Sequence, residues 1–231
     1  MKYIKRIFIF ILIIAILLVS FVTYKGYKLY DEAISKISVE DKVNEIRNNK
    51  NYVTLSNVSK DFTNAIVAIE DHRFYKHSGF DFISFCRAIL SNIKQGEVGQ
   101  GGSTISQQLA RNMYFTQEKN YSRKIAELFV VYNLEQNYSK DDILELYINT
   151  IYFGDGYDGI KEACNGYLNK EPNELNLYEA SLLAGIPNAP SVYALTNHPD
   201  LAEQRRQHVL DAMVRTGCFT DEEAEVVRNV E

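Results

Sequence analysis

The sequence predicts an all-α body behind one N-terminal transmembrane helix. Breakers are scarce, with 12 glycines and 4 prolines in 231 residues. Apolar residues recur three and four apart in segment after segment, the period of a helix with one buried face. No alternating run of strand length occurs, which leaves room for one short hairpin at most. With 46% hydrophobic residues the chain can bury one sizeable core.

The first helix is set by an apolar run, Ile7 to Val22, interrupted only by Ser20. Counted on to Tyr24, it reaches the roughly 17–25 residues that cross a bilayer. Lys2, Lys5 and Arg6 precede it, so the positive-inside rule puts the N-terminus in the cytoplasm, with Lys25 and Lys28 narrowing the margin. Ser20-Phe21-Val22-Thr23 offers no small-x-small cleavage site, and the run reads as a retained anchor. Residues 1–28 are thus a cytoplasmic tip and anchor, 29–51 a charged helical stalk, and 52–231 the body. Beyond residue 28 there are 20 basic and 30 acidic residues, a net charge of −10. Such a body is no nucleic-acid binder by bulk charge, and any anion site must be a local cluster. Cys86, Cys164 and Cys218 are odd in number, form no CxxC, and read as structural thiols.

In the body, Phe62, Ala65, Ile66 and Ile69 mark the buried stripe of a helix over 59–71. It ends at Glu70-Asp71, among His72, Arg73, Lys76 and His77. A carboxylate where a packed helix meets a loop is half desolvated, which raises its pKa toward that of a general base. The other reading of these residues is a surface acidic pair at a helix end, beside basic partners. Asp81 caps a helix to about residue 94 whose Phe82, Phe85, Ala88 and Ile89 share a face, with Phe80 and Ile83 beside them. This greasy region is either core or a surface that dips into lipid.

The Gly-rich loop 94–104 spaces Gly96 and Gly101 like a phosphate loop, but Gly102 stands at the lysine position and the signature fails. Ser103 or Thr104 caps a helix over 105–113, on which Thr104, Gln108 and Arg111 share one face. Ser122 opens the next, with Ile125, Leu128, Phe129 and Tyr132 as its core stripe. Arg123, Lys124 and Glu127 lie off that stripe, either converging on one site or forming a surface i,i+4 pair. Ser139 with Asp142 boxes a helix ending near Thr150, and the Gly-rich turn 153–159 follows. Helices then fit 160–169, 177–185 behind Asn176, 200–216 between Pro199 and Gly217, and 221–229 behind Thr220 and Glu223.

Five motifs occur in order: Glu70-Asp71-x-x-Phe74-x-x-His77-x-Gly79; Gly101-Gly102-Ser103-Thr104-Ile105-Ser106-Gln107-Gln108; Arg123-Lys124-x-x-Glu127; Asn149-x-x-Tyr152-Phe153-Gly154; and Leu183-Ala184-Gly185-x-Pro187-x-Ala189-Pro190. Together they resemble the peptidoglycan glycosyltransferases, glycosyltransferase family 51, over residues 52–231. The resemblance implies a lysozyme-like α fold on the outer face of a bacterial cytoplasmic membrane. It implies polymerisation of lipid II into β-1,4-linked glycan by inversion, with release of undecaprenyl pyrophosphate. Its partners would be lipid II, the growing strand, membrane lipid and other cell-wall synthesis proteins, and its inhibitors phosphoglycolipids of the moenomycin type.

By motif position, Glu70 is the implied base and Glu127 the second essential carboxylate. Glu127 would either orient Arg123 and Lys124 or hold a divalent cation, Mg or Mn, on the pyrophosphate. The substrate-binding set is Asp71, Phe74, His77, Gly102, Ser103, Thr104, Gln107, Gln108, Arg111, Arg123, Lys124, Asn149, Tyr152 and Arg205. The run 163–170 and the stretch Tyr193–Thr196 depart from the family pattern without touching an expected catalytic group. Ser91 and Lys94 match the acyl-enzyme S-x-x-K of bifunctional relatives, but no S-x-N or K-T-G follows. The chain is therefore expected to be a one-domain enzyme or part of a two-domain one. A lysozyme-type hydrolase and a non-catalytic cell-wall scaffold are the competing readings.

Overall fold

The structure, a computed structural model, describes residues 2–95, 102–116 and 120–228. The helices are α1 Lys2–Ile34, α2 Val39–Arg47, α3 Lys60–Glu70, α4 Phe82–Gln95, α5 Ile105–Tyr114, α6 Tyr121–Asn137, α7 Lys140–Ile148, α8 Ile160–Ala163, α9 Leu177–Gly185, α10 Pro190–Tyr193, α11 Pro199–Arg215 and α12 Asp221–Arg228. Among the described residues there is no strand. One isolated antiparallel bridge, Tyr152 to Asp158, closes the Gly-rich turn. The Gly96–Gly101 part of the phosphate-loop-like stretch lies outside the described residues, as do the side chains of Ser91 and Lys94.

Local chemistry fixes most helix starts. Thr104 with Gln107, Ser139 with Asp142, and Asn176 with Glu179 each form a reciprocal capping box, and a lost cap of this kind costs about 1 kcal/mol. One start differs from expectation. Asn120, not Ser122, caps α6, its side chain accepting from the Ser122 N–H at 2.8 Å.

Helix α3 packs between α9 and α11, while α5, α6 and α7 form a second group. Phe62 and Ile66 of α3 are fully buried, each worth about 1.5–3 kcal/mol relative to exposure. On α6 the expected core stripe is corrected. The face that enters the core carries Val130, Val131 and Leu134, whereas Tyr132 is 68% exposed. Phe129 instead meets α1, its ring centroid 5.5 Å from both Tyr27 and Tyr30. The helix is apolar on two faces because it is packed on two sides, a pattern that a single stripe cannot express.

Residues 29–51 are no free stalk. Helix α1 runs unbroken to Ile34, and Tyr30, Ile34 and Ile46 pack against the core that buries Val39 and Val43. Arg47 pairs with Asp142 at 2.7 Å. The signal was present in Val39, Val43 and Ile46, at i, i+4, i+7. Helix α4 exposes Phe82, Ile83, Phe85 and Leu90 and turns Ala88 inward. The greasy region is thus a surface rather than core. All three cysteines are free, and burial pushes the Cys164 thiol up to about 12, which leaves it inert.

Candidate active site

Helix α3 stops because Asp71 leaves helical geometry, with φ −156° and ψ 73°. Its carboxylate turns inward. It accepts from His77 Nε2 at 3.0 and 2.9 Å and from the Ile105 N–H at 3.1 Å, the first residue of α5. One carboxylate thus clasps the end of α3 to the start of α5. Glu70, one residue earlier, lines a cavity of about 650 Å³. The cavity lies where the end of α3 meets α4, α5 and α11.

Glu70 Oε2 accepts a 2.7 Å bond from Gln108 Nε2, and Gln108 Oε1 accepts at 3.1 Å from the buried Tyr147 hydroxyl. Tyr147 therefore fixes which end of the amide meets the carboxylate. Glu70 Oε1 is buried with no hydrogen-bond partner. Burial holds the Glu70 carboxyl above its usual range, with Asp71 adding to the rise. The Gln108 bond and the charges of Arg205 and Arg111 oppose it.

Four guanidinium groups line the same cavity: Arg87 of α4, Arg111 of α5, and Arg205 and Arg215 of α11. Arg111 Nε and Arg205 Nε are buried without a partner. A buried N–H left unpaired costs about 1–3 kcal/mol, and both of these arginines line the cavity. Arg87 Nη1 donates to His72 Nε2 at 3.1 Å.

A second group adjoins the cavity. Glu127 is fully buried, with Arg123 Nη1 on its Oε1 and Lys124 Nζ 2.9 Å from its Oε2. Lys124 Nζ also donates at 2.9 Å to Ser103 Oγ, and Ser103 lines the cavity. Burial and the like charges of Arg111 and Arg123 push the Lys124 ammonium down to about 8. Cations lie against both Glu127 oxygens, which fits orientation of Arg123 and Lys124, while Oε2 itself accepts no hydrogen bond. Asp71, His77 and Asp81 also cluster. There, however, Asp71 is taken by His77 and Ile105, and Asp81 by Arg73 at 2.9 Å and Ser84 at 2.6 Å.

Glu70, Asp71, Gly102, Ser103, Thr104, Gln108, Arg111 and Arg205 are therefore brought together around the cavity, with Arg123, Lys124 and Glu127 against its wall. Other expected residues lie elsewhere. Phe74 is core, His77 sits behind Asp71, and Gln107 is spent on the α5 cap. Asn149 closes α7 and bonds the Val53 backbone, and the Tyr152 hydroxyl accepts from the Gly156 N–H; neither lines the cavity. Sequence reading missed Arg87, Arg215 and His72. A signal existed: Arg205, Ala212, Arg215 and Thr216 lie at i, i+7, i+10, i+11, one helical face.

The all-α body thus sets a desolvated carboxylate beside unpartnered guanidinium donors in one cavity, an arrangement suited to acid–base chemistry next to an anion. A family model described as Transglycosylase matches residues 39–214. The chain is 39% identical to Penicillin-binding protein 1F of Bacillus subtilis, over 96% of this chain and 33% of that one. It is 41% identical to a Cupriavidus necator chain that carries the name transglycosylase, over 77% of this chain and 76% of that one. It is 42% identical to Penicillin-binding protein 1A of Aquifex aeolicus, over 77% of this chain and 24% of that one. The chain thus spans only a third to a quarter of the penicillin-binding proteins it matches. It belongs to the transglycosylase family and is a glycosyltransferase.

Proposed function

We propose that the chain polymerises lipid II into β-1,4-linked peptidoglycan strands, inverting the anomeric carbon and releasing undecaprenyl pyrophosphate. One observation carries this reading: a partner-free Glu70 oxygen shares a cavity with the partner-free Nε donors of Arg111 and Arg205. Glu70 Oε1 takes the proton of the acceptor 4-hydroxyl as that oxygen attacks the donor's anomeric carbon. The bond to the pyrophosphate oxygen breaks with its electron pair. Arg111, Arg205, the Arg123 guanidinium and the Lys124 ammonium take up the charge, with Arg123 and Lys124 oriented by Glu127. Pyrophosphate leaves readily, so charge stabilisation replaces general acid catalysis.

A lysozyme-type hydrolase would need a protonated carboxyl beside the leaving oxygen. Glu127, buried between two cations, is a poor acid. Incubation with labelled lipid II tests the proposal. Long polymer is the expected product; released sugars alone would indicate the hydrolase, and unchanged substrate a scaffold.

The reaction should have a bell-shaped pH dependence. The base must be ionised, so kcat/KM falls as pH drops through the raised Glu70 pKa. The ammonium must be charged, so it falls again as pH rises through about 8. Lys124→Arg should move the alkaline limb upward in a kcat/KM profile; an alkaline limb that stays put would remove Lys124 from the chemistry.

Helix α1 would cross the bacterial cytoplasmic membrane once, with the N-terminus in the cytoplasm and the body outside. The apolar face of α4 would also touch lipid. Residues 22–231, which keep the part of α1 that packs on the body, should float with phospholipid vesicles. Changing Phe82 and Ile83 together to serine should release them, and flotation that survives both changes would leave α4 out of the contact.

A further inference from the structure

We infer that the packing of α1 on α6 sets the height of Arg123, Lys124 and Glu127 above the bilayer, in the layer of lipid phosphates. The anchor is then a depth gauge for the anion-binding groups as well as a tether. This rests on reading α1 as a membrane span and on a lipid-linked pyrophosphate substrate.

Gly26 is where the two helices touch. It is buried, and a Cβ there would lie 2.5 Å from Ile125 Cβ and Cγ2 and 2.9 Å from the Ser122 carbonyl. Only glycine lets the backbones come this close. Further along, Tyr27 and Tyr30 close on Phe129. As α1 climbs from Gly26 to Tyr30, α6 climbs with it from Ser122 to Phe129. The first turn of α6 is therefore its membrane-proximal end.

That turn carries the cations. Ser122, Ile125 and Phe129 form the face toward α1, and Arg123, Lys124 and Glu127 the opposite face. Gly26 stands four residues beyond Val22, the last residue of the apolar run. At 1.5 Å per residue this is about 6 Å above the hydrocarbon, inside a headgroup layer roughly 5–8 Å deep. Tyr24, 62% exposed, and Tyr121, 85% exposed, flank the same level, where aromatic rings favour the interface. A lipid-borne pyrophosphate can then meet Lys124 without its chain leaving the bilayer. A tether alone needs no such joint; α1 is one unbroken helix from Lys2 to Ile34.

Two measurements on the full chain test this. The protein has no tryptophan, so Tyr121→Trp provides a single depth probe at the start of α6. In vesicles of lipids brominated at defined acyl positions, quenching should be strongest for bromines nearest the headgroup; a probe that no bromine quenches overturns the inference. The second is insertion of four alanines between Thr23 and Tyr24, which adds about one helical turn below the joint and leaves its facing unchanged. KM for lipid II in vesicles should rise about tenfold or more, because each methylene drawn out of the bilayer loses apolar burial. Turnover in detergent micelles, where no bilayer height exists, should match the parent. An unchanged KM in vesicles, or lost turnover in micelles, overturns the inference. If the parent fails to polymerise lipid II in either medium, the substrate reading fails, and the quenching result still stands on its own.

Discussion

If Glu70 is the base proposed above, Glu70→Gln should leave less than about a hundredth of wild-type lipid II turnover, since a positioned general base contributes roughly 10²–10⁴-fold. The amide keeps the shape of the side chain. Its oxygen can still accept from Gln108, and its nitrogen takes the place of Oε1, which has no partner to lose. Lipid II binding should therefore survive, as calorimetry would show, while polymer formation in a gel assay disappears. Residual turnover above about a hundredth would mean that another group takes the proton.

Arg123→Ala has the second largest effect. Read as a surface i,i+4 pair with Glu127, the substitution would cost at most about 0.5 kcal/mol and no activity. The structure removes that reading, because Glu127 is fully buried and lies between Arg123 and Lys124. Losing a charged donor to the pyrophosphate should cost about 2–4 kcal/mol of transition-state stabilisation, or about 30- to 1000-fold in turnover. It also strips a buried carboxylate of one of its two cations, so thermal stability is measured beside turnover. Arg123→Lys keeps the charge and should recover stability but only part of the rate, because an ammonium cannot fork across two phosphate oxygens. Affinity for a moenomycin-type inhibitor should fall in parallel with the rate. Unchanged turnover and unchanged inhibitor binding in a folded Arg123→Ala protein would leave the Arg123–Glu127 pair purely structural.

How much of this was legible in the sequence depended on range. The caps at Thr104, Ser139 and Asn176 involve partners three residues away, so their chemistry is complete within one turn. Glu70 was legible because the stripe of α3 ends beside it. That Arg87 and Arg215 join Arg111 and Arg205 was not, since the four come from three helices, α4, α5 and α11, that are far apart in the chain and meet only in the fold. Asn149 and Tyr152 came from a motif whose positions the fold sends to another face. The two-sided packing of α6 escaped for a different reason. An apolar stripe says that something covers it, and the anchor helix did not look like a candidate.

The clasp at Asp71 bears on how a polymer can advance. Because His77 and Ile105 hold that carboxylate while Gln108 and Tyr147 hold Glu70, the base sits on a rigid post. Nothing in that arrangement lets it follow a sugar from one round to the next. On the proposed polymerisation, successive couplings would then require the strand to slide by the length it has just gained, so the stride would belong to the glycan and the protein would supply a stationary anvil.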